Sequence, residues 1–411
     1  MNNFEVRREL AKLRVAIVHY WFVNRGGGER VVECLAEVFP QADLYAVIAD
    51  RSVMAPILRG RKLHTSFLQN LPWAKRFNRH LLFLHPLALE QFDLSDYDLV
   101  ISSESAPTKG VLTSSKTCHI CYCHSPMRYI WDMYPEYRRA MAPLVRSVFT
   151  LAAHYMRMWD YASAGRVDYF VANSSFTASR LWKTYRREST IIHPPVCIPD
   201  VEALDGAGEY YLALGRLVDY KRVDLAVEAC TKMGRPLRVV GDGPQYRGLK
   251  RIAGPTVQFL GRLSDQEVHE QLSHCRALLF PAEEDFGIVP VEAQSFGRPV
   301  IAYAAGGALE TVRGIMQHGS RVGNPTGVFF LEQTSSSLAN AISFFESQEQ
   351  QFAPSKIRSH SLQFDAAHFN SRMAEFALFA INEFRETPHL GSKHPLALDE
   401  ETVGSGVTSA Q

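Results

Sequence analysis

The chain has 411 residues, 46% hydrophobic and 21% charged, a length and balance that exclude a fibrous or wholly disordered protein and suit two large domains better than one core. Lys and Arg (44) nearly balance Asp and Glu (43), so no global field recruits nucleic acid. Seven irregularly spaced cysteines make no disulfide framework and no run of about eighteen apolar residues marks a spanning helix, so a cytoplasmic location with at most peripheral membrane contact is expected.

Residues 1–13 alternate charged and apolar side chains and lack the apolar core and cleavage site of a signal peptide. A β-rich run at 14–19 follows, then Gly26-Gly27-Gly28, then 29–39 with Val31, Val32, Leu35, Val38 and Phe39 at helical spacing. Strand, glycine loop and helix open a dinucleotide-type fold, in which bare glycines let the backbone approach a phosphate near a helix N-terminus, although the spacing is not GxGxxG. The stretch 59–89 mixes Arg59, Arg61, Lys62, Lys75, Arg76 and Arg79 with Phe67, Leu68, Trp73, Phe77, Leu81, Leu82 and Phe83. That composition suits either contact with anionic lipid or a core under a solvated charged face.

Further strands are expected at 99–102, 119–122 and 169–172, separated by segments long enough for crossovers. Strand alternation sends Tyr122 to the face opposite Cys121 and Cys123. Together with Cys118 and His124 these cysteines are metal-ligand types, but without a second Cys or His pair they read as buried thiols. Linker composition at Pro194-Pro195 and at 205–208 divides the chain into domains 1–200 and 201–385. The second series has strands at 211–214, 237–241, 257–260, 277–280 and 300–302, and helices at 223–233, 265–274 and 292–296. Such alternation gives a parallel sheet covered on both faces. Two such domains facing each other would leave a deep cleft. A helix near 369–384 is free to pack back on the first domain, and 386–411 is expected to be disordered.

The most informative segment is Glu284-Asp285-Phe286-Gly287-Ile288-Val289-Pro290-Val291-Glu292. A loop glycine entering a helix places free N–H groups where a diphosphate can sit, and flanking carboxylates accept hydrogen bonds from sugar hydroxyls. This frame, E-x-F-G-x-x-x-x-E, resembles that of the family 4 glycosyltransferases, and the resemblance covers most of residues 14–385. It implies a GT-B fold of two facing Rossmann-like domains and retaining transfer of a hexosyl group from a nucleotide diphosphate sugar.

By the same resemblance Glu284 contacts the transferred sugar, Glu292 the ribose, and Phe286, Gly287, Ile288 and Val289 surround the phosphates. Arg216 and Lys221, in Gly215-Arg216-Leu217-Val218-Asp219-Tyr220-Lys221, clamp the diphosphate, where fixed cations stabilise the charge that grows on the leaving group. Gly27 and Gly28 face the donor from the first domain, His124 contacts the donor sugar, and Gly261, Arg262 and Leu263 lie near the base. Gly241-Asp242-Gly243-Pro244 turns the chain beneath the donor. The segment from His124 to Asp132 resembles a mannosyltransferase branch and leans to GDP-mannose, with a lipid-linked or oligosaccharide acceptor in polysaccharide assembly. No cofactor or metal is expected. A UDP-sugar transferase, a sugar-nucleotide epimerase of the same fold and a non-catalytic nucleotide-sugar-binding subunit are the alternatives.

Overall fold

The computed structural model describes residues 3–104, 107–201, 206, 208–319 and 322–386. The tail from 387 and the linker positions Asp205 and Ala207 lie outside the described residues, as do the side chains of Phe77 and Arg79.

Two seven-stranded sheets organise the chain, and every strand pair in them is parallel. The first contains β1 (Val15–Phe22), β2 (Asp43–Ala49), β3 (Leu63–Thr65), β4 (Leu99–Glu104), β5 (Cys118–Cys123), β6 (Tyr169–Ala172) and β7 (Thr190–Ile191), in the order β3-β2-β1-β4-β5-β6-β7. The second contains β8 (Tyr210–Leu214), β9 (Leu237–Val240), β10 (Val257–Gly261), β11 (Cys275–Phe280), β12 (Val300–Tyr303), β13 (Gly314–Ile315) and β14 (Gly327–Phe330), in the order β10-β9-β8-β11-β12-β14-β13. In each sheet the order reverses beside the first strand, between β1 and β4 and between β8 and β11. Ligands of open α/β sheets bind outside the carboxyl ends of the strands at such a point.

The central strands are apolar on both faces because helices cover both. Val15 and Ile17 of β1 join one core cluster, while Ala16 and Val18 join the opposite one. In β5, Tyr122 shares the first cluster with Ile120, and Cys121 and Cys123 face the other way, as alternation required. All three β5 cysteines are buried, and burial pushes their thiol pKa values up, so they remain protonated.

The helix Ala366–Glu386 returns to the first domain. Phe369, Met373, Ala377, Ala380 and Ile381, at helical spacing, enter the core that holds Val15, Ile17 and Tyr122. The chain therefore crosses between domains twice, and the crossings touch. Val196 bridges to Asp365, and its N–H donates to the Phe364 carbonyl at 2.9 Å.

The helix Pro143–Ala164 differs from an ordinary surface helix. Phe149, Ala153 and Met156 point inward, whereas Leu144 (82% exposed), Leu151 (75%), Val148, Tyr155 and Met158 form an apolar outer face. Its inner anchor is a fully buried ion cluster: Lys109 pairs with Asp160 and, at 3.4 Å, with Glu104. Trp131 Nε1 and the Tyr185 hydroxyl both donate to Asp160 at 2.7 Å, fixing the loop after β5 to this helix.

Candidate active site

The carboxyl ends of both sheets face one cleft of about 620 Å³. From the first domain it is lined by Tyr20, Gly27, Gly28, His124, Arg128 and Asn173, among others. From the second come Tyr220, Lys221, Glu284, Asp285, Phe286, Gly287, Ile288, Val289 and Glu292.

Two helices begin at this cleft. Gly27–Val38 starts at its glycines, two residues earlier than apolar periodicity suggested, and Ile288–Ser295 starts directly after Gly287. Gly287 has φ +86°, a left-handed turn that glycine makes without strain, and it swings the chain from β11 into the helix. The first-turn amides of both helices lack intrahelical acceptors, and both positive dipole ends point toward the same space. The arrangement is an anion cradle with one wall on each domain.

Lys221 and Glu284 form an ion pair between the end of the β8 loop and the start of the glycine frame. The Glu284 loop is held from behind, where Gly307 N–H donates to the Glu284 carbonyl at 2.8 Å. Glu292 lies on the second turn of its helix in the cleft; burial raises its pKa, and Arg30 across the cleft opposes that shift. His124 Nε2 shares a hydrogen bond with Ser103 at 2.9 Å, and Asn173 Nδ2 donates to the His124 carbonyl at 3.0 Å. Burial, aided by neighbouring His19, drives the His124 pKa down to about 3, so the ring is neutral and acts through hydrogen bonds rather than charge.

The sequence-predicted residues divide into two groups. Gly27, Gly28, His124, Lys221, Glu284, Phe286, Gly287, Ile288, Val289 and Glu292 come together in the cleft. Gly215, Arg216, Gly261, Arg262 and Leu263 do not line it. Arg216 is exposed beyond β8, Arg262 is exposed beyond β10, and Leu263 packs on a second-domain core cluster. Gly215 and Gly261 belong to a hydrogen-bonded layer at the strand ends: Gly215 N–H donates to the Val240 carbonyl and Gly241 N–H to the Gly261 carbonyl. Asp242 accepts from Leu217 N–H in the same layer. The Phe286 ring is buried among Val196, Val291 and Phe364, so it anchors the loop while its edge lines the cleft.

Several pairings of the site are not visible in the sequence. Asp285 pairs with both Arg128, at 2.7 Å, and Arg180, and Arg180 also holds Asp132. Glu310 of the second domain accepts from Ser175 N–H at 2.9 Å and lies 3.1 Å from His193 Nε2, giving the first-domain helix Ser175–Tyr185 an anionic cap. His19 and Glu29 are buried behind the glycine loop, 3.8 Å apart. Although burial raises the Glu29 pKa, His19, a backbone N–H and nearby His124 together hold the carboxyl below its ordinary value. Apart from His19 and Glu29, these pairings join positions far apart in sequence, where no local motif shows them.

Comparison with known proteins agrees with this geometry. Residues 25–198 match the family model described as Glycosyltransferase Family 4, and residues 198–358 match Glycosyl transferases group 1. The human alpha-1,3/1,6-mannosyltransferase ALG2 is 30% identical over 270 residues, covering 56% of this chain and 61% of that protein. The GDP-mannose-dependent monoacylated alpha-(1-6)-phosphatidylinositol monomannoside mannosyltransferase of Corynebacterium glutamicum is 37% identical over 126 residues, covering 26% of this chain and 33% of that protein. The chain thus spans less than two thirds of the length of these curated relatives. HepE of Anabaena in complex with UDP superposes with a TM-score of 0.62 at 18% identity, over 89% of this chain and 99% of that one. The lipopolysaccharide glycosyltransferase WaaG superposes with 0.60 at 17% identity, over 88% and 99%. At these identities the likeness concerns the fold, which is GT-B. The two family models together span residues 25–358 and take in most of both sheets, and the chain belongs to the family 4 glycosyltransferases.

Proposed function

We propose that the protein transfers a hexosyl group, with retention of configuration, from a nucleotide diphosphate sugar to a lipid-linked or saccharide acceptor, the donor on the 201–385 side of the cleft and the acceptor on the 1–200 side. The observation that carries this reading is the convergence of two helix N-termini and Lys221 on one cleft that also holds Glu284 and Glu292. The helix ends and Lys221 receive the diphosphate and stabilise the charge it gains as the C1–O bond breaks. Glu292 accepts hydrogen bonds from ribose hydroxyls, and neutral His124 and Glu284 orient the sugar. The departing phosphate oxygen takes the proton of the attacking hydroxyl on the same face of the ring. This source of positive charge makes a divalent metal unnecessary, and transfer is expected to survive chelation by EDTA.

The mannosyltransferase relatives favour a mannosyl donor with a guanine base, while the structural neighbour solved with UDP keeps a uridine donor as the second reading. A thermal-shift panel of GDP, UDP, ADP and their sugar conjugates decides between them, since a ligand that binds only the native state raises its midpoint according to affinity. A GDP-selective shift lost in Glu292→Ala supports the donor; a UDP-selective shift overturns the mannosyl assignment, and no shift with any nucleotide sinks the donor cleft. The anomeric configuration of the product, read by NMR, tests retention.

We also propose peripheral association with an anionic membrane. Among the described residues no helix is long and apolar enough to cross one. Arg59 and Arg61 spend their guanidinium groups on backbone carbonyls, so the stretch 59–89 offers less free charge than its composition promised. The outer face of Pro143–Ala164, with exposed Arg138 and Arg139 just before it, suits a lipid surface better. Flotation with anionic liposomes that leaves the protein in solution removes this part of the reading.

A further inference from the structure

A second cavity, of about 320 Å³, adjoins the cleft and shares Arg128 and Tyr220 with it. Arg128 is fixed in that shared wall by its pair with Asp285, the residue after Glu284, which lines the cleft but not the second cavity. Asp132, Glu136 and Phe176 approach from the first domain, and Glu283 and Gln333 from the second. The cavity therefore begins where a donor sugar held by Glu284 and His124 would end.

Its chemistry excludes a simple anion site. Arg128 is committed to Asp285, and its Nε is buried without an acceptor among the described residues. Arg222, the other cation of the lining, is held by Asp224 at 3.1 Å and by the Gln333 side-chain oxygen at 3.2 Å. Both cations are thus already neutralised, while Glu283 adds an exposed carboxylate and Asp132 and Glu136 are balanced by Arg180 and Arg139. What remains is two aromatic rings, Phe176 and Tyr220, and the Met133 thioether, among carboxylates and an amide. Rings offer apolar surface to the C–H face of a pyranose, and carboxylate and amide groups bond its hydroxyls.

We propose that this cavity is the subsite for a neutral saccharide, the acceptor sugar whose hydroxyl enters the cleft past Arg128. The proposal rests on the glycosyl-transfer reading and adds to it the acceptor's chemical class and position. An acceptor recognised through a phosphate would need a free cation, and the walls supply none.

The test is saturation-transfer-difference NMR on the full chain with methyl α-D-mannopyranoside, methyl β-D-glucopyranoside and N-acetylglucosamine as probes and nucleotide present. Nucleotide binding is followed in parallel by thermal shift. Saturation transfer to at least one probe is expected, falling at least fivefold in Phe176→Ala and about threefold in Glu283→Gln, with the nucleotide-induced shift unchanged in both. Glu283→Gln is isosteric at an exposed position, so it decides the matter even where Phe176→Ala disturbs the neighbouring Arg180. Signal unchanged in both variants, or no signal from any probe with the wild-type chain, overturns the subsite. A wild-type chain that shifts with no nucleotide fails the donor reading instead, and that result is read separately from the saccharide signal.

Discussion

Gly27 and Ile288 meet across the cleft so closely that a Cβ on Gly27 would lie 2.7 Å from Ile288 Cδ1. The first-domain glycine is therefore needed for the approach of the two helix ends as well as for phosphate access. Gly27→Ala should cost about 1 kcal/mol in the closed arrangement, roughly fivefold in kcat/KM, because Ile288 can give way only in part. Ile288→Ala in the same chain should recover most of the loss. Equal loss in the single and double variants would show that the contact does not limit closure.

In the proposed transfer Lys221 and Glu284 lie at the bond that breaks, so their removal should appear in kcat more than in the donor KM. Lys221→Ala is expected to lower kcat on the order of 10²-fold, the range seen when one donor to a developing charge is deleted, and Glu284→Gln, which removes an acceptor that orients the sugar, to lower it by a smaller factor. Steady-state kinetics with the donor chosen by the thermal-shift panel reads the split. A change confined to KM would place both residues in ground-state binding.

The Lys109 cluster gives a stability prediction remote from the chemistry. Lys109→Met leaves Glu104 and Asp160 buried without their cation and should destabilise the fold by about 3–5 kcal/mol. Adding Asp160→Asn removes one of the stranded charges and should return part of that loss. Urea denaturation of the single and double variants measures both.

Buried histidines set an acid limit: His85 and His119 add to the share of His124 in the cleft. Burial pushes the pKa of His85 and of His119 from 6.5 down to about 4. The folded state favours the neutral rings, so the unfolded chain takes up protons first as pH falls. Stability from this source is full above about pH 6.5, declines toward pH 4 and is flat below. At pH 5 each ring should cost roughly 2 kcal/mol relative to pH 7.5, by linkage. Denaturation midpoints at pH 7.5, 6 and 5 test the slope, and His85→Phe should reduce it by one ring's share while His119 and His124 keep theirs; an unchanged slope would mean that His85 does not contribute to this limb.

The parallel strands and the frame from Glu284 to Glu292 were legible because apolar runs bounded by glycine have few other interpretations. The helix Pro143–Ala164 was not, since its apolar residues lie on both the inner and the outer face and the usual one-sided stripe is absent. β2, β3, β7, β13 and β14 escaped notice too: β2 is buried almost throughout and shows no alternation, β3 has only three residues, and β7 and β13 have two each. Lys221 and Glu284 were read from local motifs, but Asp285 gains its role only from Arg128 and Arg180, which lie more than a hundred positions away. Arg216 shows the converse limit. Its motif is intact, and the fold leaves its side chain in solvent outside the cleft lining.

The paired crossings at Val196 and Asp365 have a mechanical consequence. A single connector would let one domain swivel on the other, whereas two connectors bonded side by side restrict relative motion to rocking about one axis. The Phe286 ring is wedged between them, two residues from Glu284. A change of angle between the domains would therefore press on the Phe286 ring and on the loop that carries Glu284, and a cut in either connector would remove one of the two restraints on that loop.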